Sequence, residues 1–192
     1  REQFPIIKDP LKKLKIAVFE MENIEADDII GTLAKSSKTT KNLILSGDRD
    51  LLQLIDTNTE VLLTKHGTTS TKSMTLESLK EEMHITPSQV VDLKALMGDN
   101  SDNIPGVKGV GPKTAQDLIE AYGTLENVYK HIDELKGSLK EKLIKDKEMA
   151  FLSYTLAKIK TDVELDFKLE NLKLHYPFDV SIKEDFKRFG FG

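Results

Sequence analysis

Apolar and polar residues follow two different rhythms along this chain, and the change falls near residue 75. Before it, residues 15–20 (KIAVFE) and 42–46 (NLILS) are short apolar runs ending in polar residues, the pattern of buried parallel strands. Between them Ala26, Ile29, Ile30 and Leu33 fall at i, i+3, i+4 and i+7, which predicts a helix over 25–35 with one apolar stripe. Strand, helix and strand make a βαβ unit. Residues 51–55 read as a short helix, and 60–74 as a hairpin around the turn at 65–68. Beyond residue 75 the period is helical, with segments predicted at 76–83, 87–97, 113–122, 125–131 and 139–160. The tail over 162–192 mixes apolar and charged pieces and is expected to wrap against the core. The fold class is therefore α/β, a partial sheet-based unit over 1–74 followed by a helical region over 75–192. An α/β sheet usually has more than two strands, and only about 15 residues precede the first one here. The amino-terminal part of the sheet is therefore expected to be missing from this chain.

Composition narrows the class. Of 192 residues, 39% are hydrophobic, enough for a genuine core. No run approaches the roughly 20 apolar residues that span a bilayer, and residues 1–10 contain no signal-peptide core, so no membrane association is expected. With no cysteine, disulfides and thiolate metal sites are excluded, and a cytoplasmic protein is the natural expectation. The four histidines, His66, His84, His131 and His175, have no zinc-type spacing.

The acids are less evenly spread. Seven carboxylates fall in three short runs: Glu25, Asp27 and Asp28; Asp48 and Asp50; Asp99 and Asp102. Carboxylates crowded in a fold repel one another unless cations compensate, and hard oxygen ligands suit Mg²⁺ or Mn²⁺. The first two runs follow predicted strands, which places them at the carboxyl edge of the sheet, where open α/β folds bind ligands. Each run has a plainer reading: helix capping for residues 25–28, a turn neutralised by Arg49 for 48–50, and a polar loop for 98–103. Three runs together are a stronger signal than any one.

Net charge is −4, which looks wrong for a nucleic-acid partner. The seven clustered acids exceed that whole excess, however, and two divalent cations would bring the total to about zero. Elsewhere Lys108, Lys113, Lys136, Lys140, Lys142, Lys145 and Lys147 make the second half locally basic, either as a phosphate-facing surface or as solvated lysines. Directly after the third acidic run comes IPGVKGVGPKTA, residues 104–115. Gly106, Gly109 and Gly111 permit a tight connection and close approach of a ligand to the backbone. The free N–H groups at the next helix start, with Lys108, Lys113 and Thr114, suit phosphate and carry no base-reading chemistry.

At these residues the chain resembles the 5′ nuclease (5′→3′ exonuclease) domain of bacterial DNA polymerase I and the related flap endonucleases. The matching pieces are EADD at 25–28, GDRD at 47–50, GDNSDNIPGVKGVGPKTA at 98–115 and LAKIKTD at 156–162. The resemblance implies a PIN-like parallel-sheet nuclease core followed by a helix-three-turn-helix that grips duplex DNA through residues 104–122. It also implies two Mg²⁺ or Mn²⁺ ions, a monovalent cation such as K⁺ at the hairpin carbonyls, and a monomer acting on 5′ flaps and nicked or branched DNA in replication and repair. Asp27, Asp48, Asp50, Asp99 and Asp102 would be the main ligands, with Glu25 and Asp28 supporting them. The family's first strand, its aspartates and its basic arch have no counterpart here, so this chain is expected to bind DNA and to cleave it poorly by itself. A non-catalytic DNA-binding module is the rival reading.

Overall fold

The computed structural model describes residues 3–36, 39–64, 70–174, 176, 178, 180 and 182–190. Helix α1 (Gln3–Lys13) leads into an extended segment and then α2 (Ala26–Ser36). Strand β1 (Asn42–Ser46), a 3₁₀ turn (Asp50–Leu54), β2 (Thr59–Thr64) and β3 (Thr71–Met74) follow. After them come α3 (Leu76–Ser78), which runs on into a π-turn over Leu79–Met83, then α4 (Pro87–Met97), α5 (Pro112–Tyr122) and α6 (Leu125–Lys130). Helices α7 (Gly137–Lys145), α8 (Lys147–Ala157) and α9 (Ile182–Arg188) complete the chain.

The sheet is mixed, in the order β1-β2-β3. β1 pairs parallel with β2, Ile44 opposite Val61, and β2 pairs antiparallel with β3, Val61 opposite Met74. The hairpin is thus as the alternation predicts; its turn lies outside the described residues. The βαβ unit is not observed. Residues 16–20 form no strand, because an apolar run becomes a strand only where a neighbour takes its backbone hydrogen bonds. Val18 is left largely exposed there. β1, for its part, buries Ile44 while Leu43 and Leu45 face an open groove beside Ile30, Leu33, Leu169 and Leu172, so it is a half-buried strand and not a fully buried one.

One continuous apolar core joins the sheet to the helices. Leu51, Leu52 and Leu54 of the 3₁₀ turn, Val61 of β2, Leu79, Leu96 of α4, Ile119 of α5, Leu125 and Val128 of α6 and Leu143 of α7 are all buried in it. Helix α4 is central: residues 91–96 are buried on every side, and it packs against α8, α5 and the 3₁₀ turn. Thr86 and Gln89 start it with a capping box, Gln89 accepting from the Thr86 N–H at 2.8 Å.

The helix predicted over 139–160 is two helices that break at Asp146, whose carboxylate accepts the Lys108 N–H at 2.9 Å. Past α8 the chain is stitched back onto the first half. Gln53 bonds both Ala157 O (3.0 Å) and the Ile159 N–H (2.9 Å), and Thr32 Oγ1 accepts from Val163 at 3.1 Å. At this seam a Cβ on Gly31 would lie 2.8 Å from Ile159 Cγ2, so only glycine lets the strap approach α2 so closely. The LAKIKTD segment therefore holds α2, and with it the first acidic run, in place. The tail does return to the first half, where α9 meets α1 through the Lys13–Asp185 pair at 2.5 Å.

Candidate metal centre and nucleic-acid interface

Local turns aim the acids. Beyond β1, Ser46 Oγ accepts the Asp48 N–H at 3.0 Å and Asp48 Oδ1 accepts the Asp50 N–H at 2.9 Å, so two successive side-chain turns bring the chain into the 3₁₀ segment. Burial of Leu51, Leu52 and Leu54 fixes that segment and leaves Asp50 at the rim. The third run begins where Gly98, at φ 72°, ends α4. Its loop is closed by paired Asp99–Ile104 backbone bonds, both 2.8 Å, and Asp99 Oδ1 accepts the Ser101 N–H at 2.8 Å.

These turns bring Asp50, Asp99 and Asp102 together, with one carboxylate oxygen of each within 4.8 Å of the others. Between them sits the ammonium of Lys94, whose side chain is only 5% exposed. It donates to Asp50 Oδ2 and to Asp102 Oδ2 (2.7 Å), and pairs with Asp99 Oδ2 at 3.0 Å. Burial alone would push the Lys94 pKa down, but its bonds to Asp102, Asp50 and Asp99 outweigh that and hold it above the ordinary value. A bond from Ser101, with help from Lys94, lowers Asp99 to about 2. Asp50 moves the other way, raised by burial despite its bond to Lys94. Lys94, not Arg49, thus supplies the neutralising charge at this rim. It carries no motif signal, yet residues 90–96 are apolar around the helix except at Asp92 and Lys94, and a charge forced into such a helix needs a built partner. Asp92 has its own, accepting the Leu125 N–H at 2.8 Å.

The first acidic run faces the same rim. Asp27 is raised to about 6, chiefly by burial and then by repulsion from Asp48, Asp50, Glu25 and Asp28. Glu25 is exposed. Asp28 is buried and its Oδ1 accepts the Lys160 N–H at 2.8 Å, so part of that carboxylate anchors the strap. Hard oxygen donors from separate segments, close enough that the charge of their neighbours helps to raise Asp27 and Asp50, fit a hard divalent cation.

The glycine hairpin, directly after the third acidic run, is tied to the end of α4. Val107 N–H bonds Leu96 O at 2.8 Å, Gly106 N–H bonds Ser153 Oγ at 2.9 Å, and Lys108 N–H bonds Asp146. Gly106 needs correction as a ligand-facing residue. It is buried, and a Cβ there would lie 2.3 Å from Gly98 N, so its role is to let two backbones touch. The exposed members are Lys108, Gly109, Gly111 and Lys113, with Thr114 half-buried. Gly111 is the N-cap of α5 and Pro112 its first residue; without a cap side chain, the Lys113 and Thr114 N–H groups have no helical acceptor and are open to an anion. Lys142 of α7, not signalled by any motif, places its ammonium 3.4 Å from Gly109 O and extends the positive charge around the turn.

Residues 1–84 match the 5'-3' exonuclease N-terminal resolvase-like domain and residues 85–179 the 5'-3' exonuclease C-terminal SAM fold. The whole chain is 45% identical to part of DNA polymerase I from Lactococcus lactis subsp. cremoris, of which it spans 22%. Among solved structures, T5 5'-exonuclease with bound zinc is similar at TM-score 0.66 and 26% identity, over 80% of this chain and 58% of that one. A T5 flap endonuclease complex with DNA and metal ions is similar at TM-score 0.62 and 25% identity, over 72% of this chain and 51% of that one. With both halves of the family's domain pair matched in order, and its acidic runs and glycine hairpin converging in space, the chain belongs to the 5′→3′ exonuclease family.

Proposed function

We propose that this chain is the nuclease part of a structure-selective 5′→3′ exonuclease and flap endonuclease. It hydrolyses DNA phosphodiesters at 5′ flaps and in nicked or branched duplex during replication and repair. The observation that carries this reading is the convergence of Asp50, Asp99 and Asp102 on one cation-holding point beside a hairpin open to phosphate. Asp27, Asp48, Asp50, Asp99 and Asp102 would hold two Mg²⁺ or Mn²⁺ ions, supported by Glu25 and Asp28, the latter through its grip on the strap. Such ions supply Lewis-acid stabilisation of the developing charge and a water acidic enough to attack at neutral pH.

The chain's own groups do the positioning. The open Lys113 and Thr114 N–H groups, with Lys108, Lys142 and the exposed backbone at Gly109 and Gly111, take backbone phosphates irrespective of sequence. The short, bonded loop over 98–104 fixes the distance from that grip to the acids, so a held duplex presents one phosphodiester at the rim. A monovalent cation such as K⁺ would share the hairpin carbonyls with Lys142. The molecule works as a cytoplasmic monomer; among the described residues no helix is long and apolar enough to cross a membrane.

The test is a 5′-labelled flap duplex with Mg²⁺ or Mn²⁺, incubated with this chain with and without the amino-terminal segment of a family member. Cleavage that requires the metal and is lost in Asp99→Asn supports the reading. Tight binding with no cleavage under either condition would leave only the DNA-binding module.

A further inference from the structure

We infer that Lys94 is a resident counter-ion of the Asp50–Asp99–Asp102 triad, and that its ammonium and a divalent ion are alternative occupants of those carboxylates. The inference rests on the metal-centre reading above.

Lys94 faces the Oδ2 atom of all three acids, at 2.7 Å for Asp102 and 3.0 Å for Asp99. Asp99 cannot readily offer its other oxygen, because Oδ1 accepts both the Ser101 N–H at 2.8 Å and the Ser101 hydroxyl at 2.5 Å. An ion bound by all three acids must therefore take the oxygen of Asp99 that faces Lys94. A divalent ion of this kind sits about 2.1 Å from its ligand oxygens. It would then lie within a few ångströms of the ammonium, two like charges sharing one set of acceptors. Lys94 also cannot be left aside as an isolated buried charge, since the rest of 91–96 is enclosed by the core. In the metal-free chain it holds three mutually repelling carboxylates in ligand-like proximity. On metal entry it has to turn out past Asp102, the most exposed of the three.

Lys94 is thus a positioning residue that also competes with the metal, and removing it has opposite effects on the two roles. A residue with only a structural role would lower metal affinity when lost. Lys94→Met, titrated with Mn²⁺ alone by calorimetry, should bind at least about tenfold more tightly than the parent chain, equivalent to about 1.4 kcal/mol. The gain should vanish in Lys94→Met with Asp99→Asn, and Lys94→Arg, which keeps the charge, should return the affinity towards the parent value. Unchanged or weaker Mn²⁺ binding by folded Lys94→Met overturns the inference. If Lys94→Met proves unfolded without metal, recovery of its helical circular dichroism on adding Mn²⁺ supports the inference, and no recovery overturns it. Failure of the underlying reading looks different: Mn²⁺ affinity would then be indifferent to Asp50→Asn and Asp99→Asn in the parent chain.

Discussion

The acid rim and the glycine hairpin adjoin in sequence and are built on opposite principles. At the rim, three carboxylates from two segments are pressed together against a single ammonium, and beside them Asp27 is raised to about 6 by burial and its neighbours' charge. At the hairpin, Gly106, Val107 and Lys108 each give their N–H to an acceptor within the fold, so the turn is rigid before any ligand arrives. The rim holds unfavourable charge that a cation relieves; the hairpin holds a satisfied backbone that leaves α5 free to meet an anion. Sites that must bind something usually give up stability in one place and recover it in another. Here the two places are adjacent.

Substitutions should separate the two regions. The largest effect belongs to Gly106→Ala, since φ is 61° and the new Cβ would press on the Gly98 backbone, where nothing can yield. It should cost about 3 kcal/mol or more in urea unfolding; a loss under about 1 kcal/mol would contradict the rigid-hairpin description.

At the rim the sign reverses. Asp27 releases its proton near pH 6 in the folded chain against an ordinary value of 3.8, so the fold binds that proton the more tightly. The stability this lends is complete below about pH 4 and is lost as pH rises through 6. Between pH 4.5 and 7.5 the metal-free parent chain should therefore lose stability relative to Asp27→Asn, on the order of 1 kcal/mol once solvent screening of this half-buried group is allowed for. The same variant should bind Mn²⁺ more weakly. Parallel pH profiles in urea unfolding would remove the strain from Asp27.

Gly111 provides the cleanest separation of folding from binding, because a Cβ there meets nothing within 4 Å and its backbone is extended. Gly111→Leu should stay within about 1 kcal/mol of the parent in stability and lose roughly tenfold in affinity for nicked duplex, or about 1.4 kcal/mol. Equal affinity would take α5 out of the interface. The smallest effect is that of Lys113→Ala, a few-fold weaker at moderate salt. Its log–log salt dependence should flatten by about one unit if the ammonium meets a single phosphate.

How much of this was legible beforehand depended on whether the controlling interaction was local. Helix α4 matches its prediction residue for residue, because its capping box and following glycine are local signals. The strand expected at 15–20 did not form, since pairing partners cannot be read from an apolar run. A sequence run also conceals the break at Asp146, where a carboxylate is drawn to an amide 38 residues away. Acids in the three runs were readable as candidates by their crowding. What joins them, Lys94, was not, because its significance lies in which oxygens surround it. Gly106 shows the converse error: three glycines in one motif look alike, and only packing separates the buried one from the two that face solvent.

The central claim is that Asp50, Asp99 and Asp102, brought together from two acidic runs, form a divalent-metal centre, and anomalous diffraction from crystals grown with Mn²⁺ tests it most directly. The account predicts manganese peaks at about 2.1 Å from carboxylate oxygens of Asp50, Asp99 and Asp102, with Lys94 turned away. Density showing Lys94 still among those three acids, and no manganese bound to any carboxylate of the rim, would contradict it.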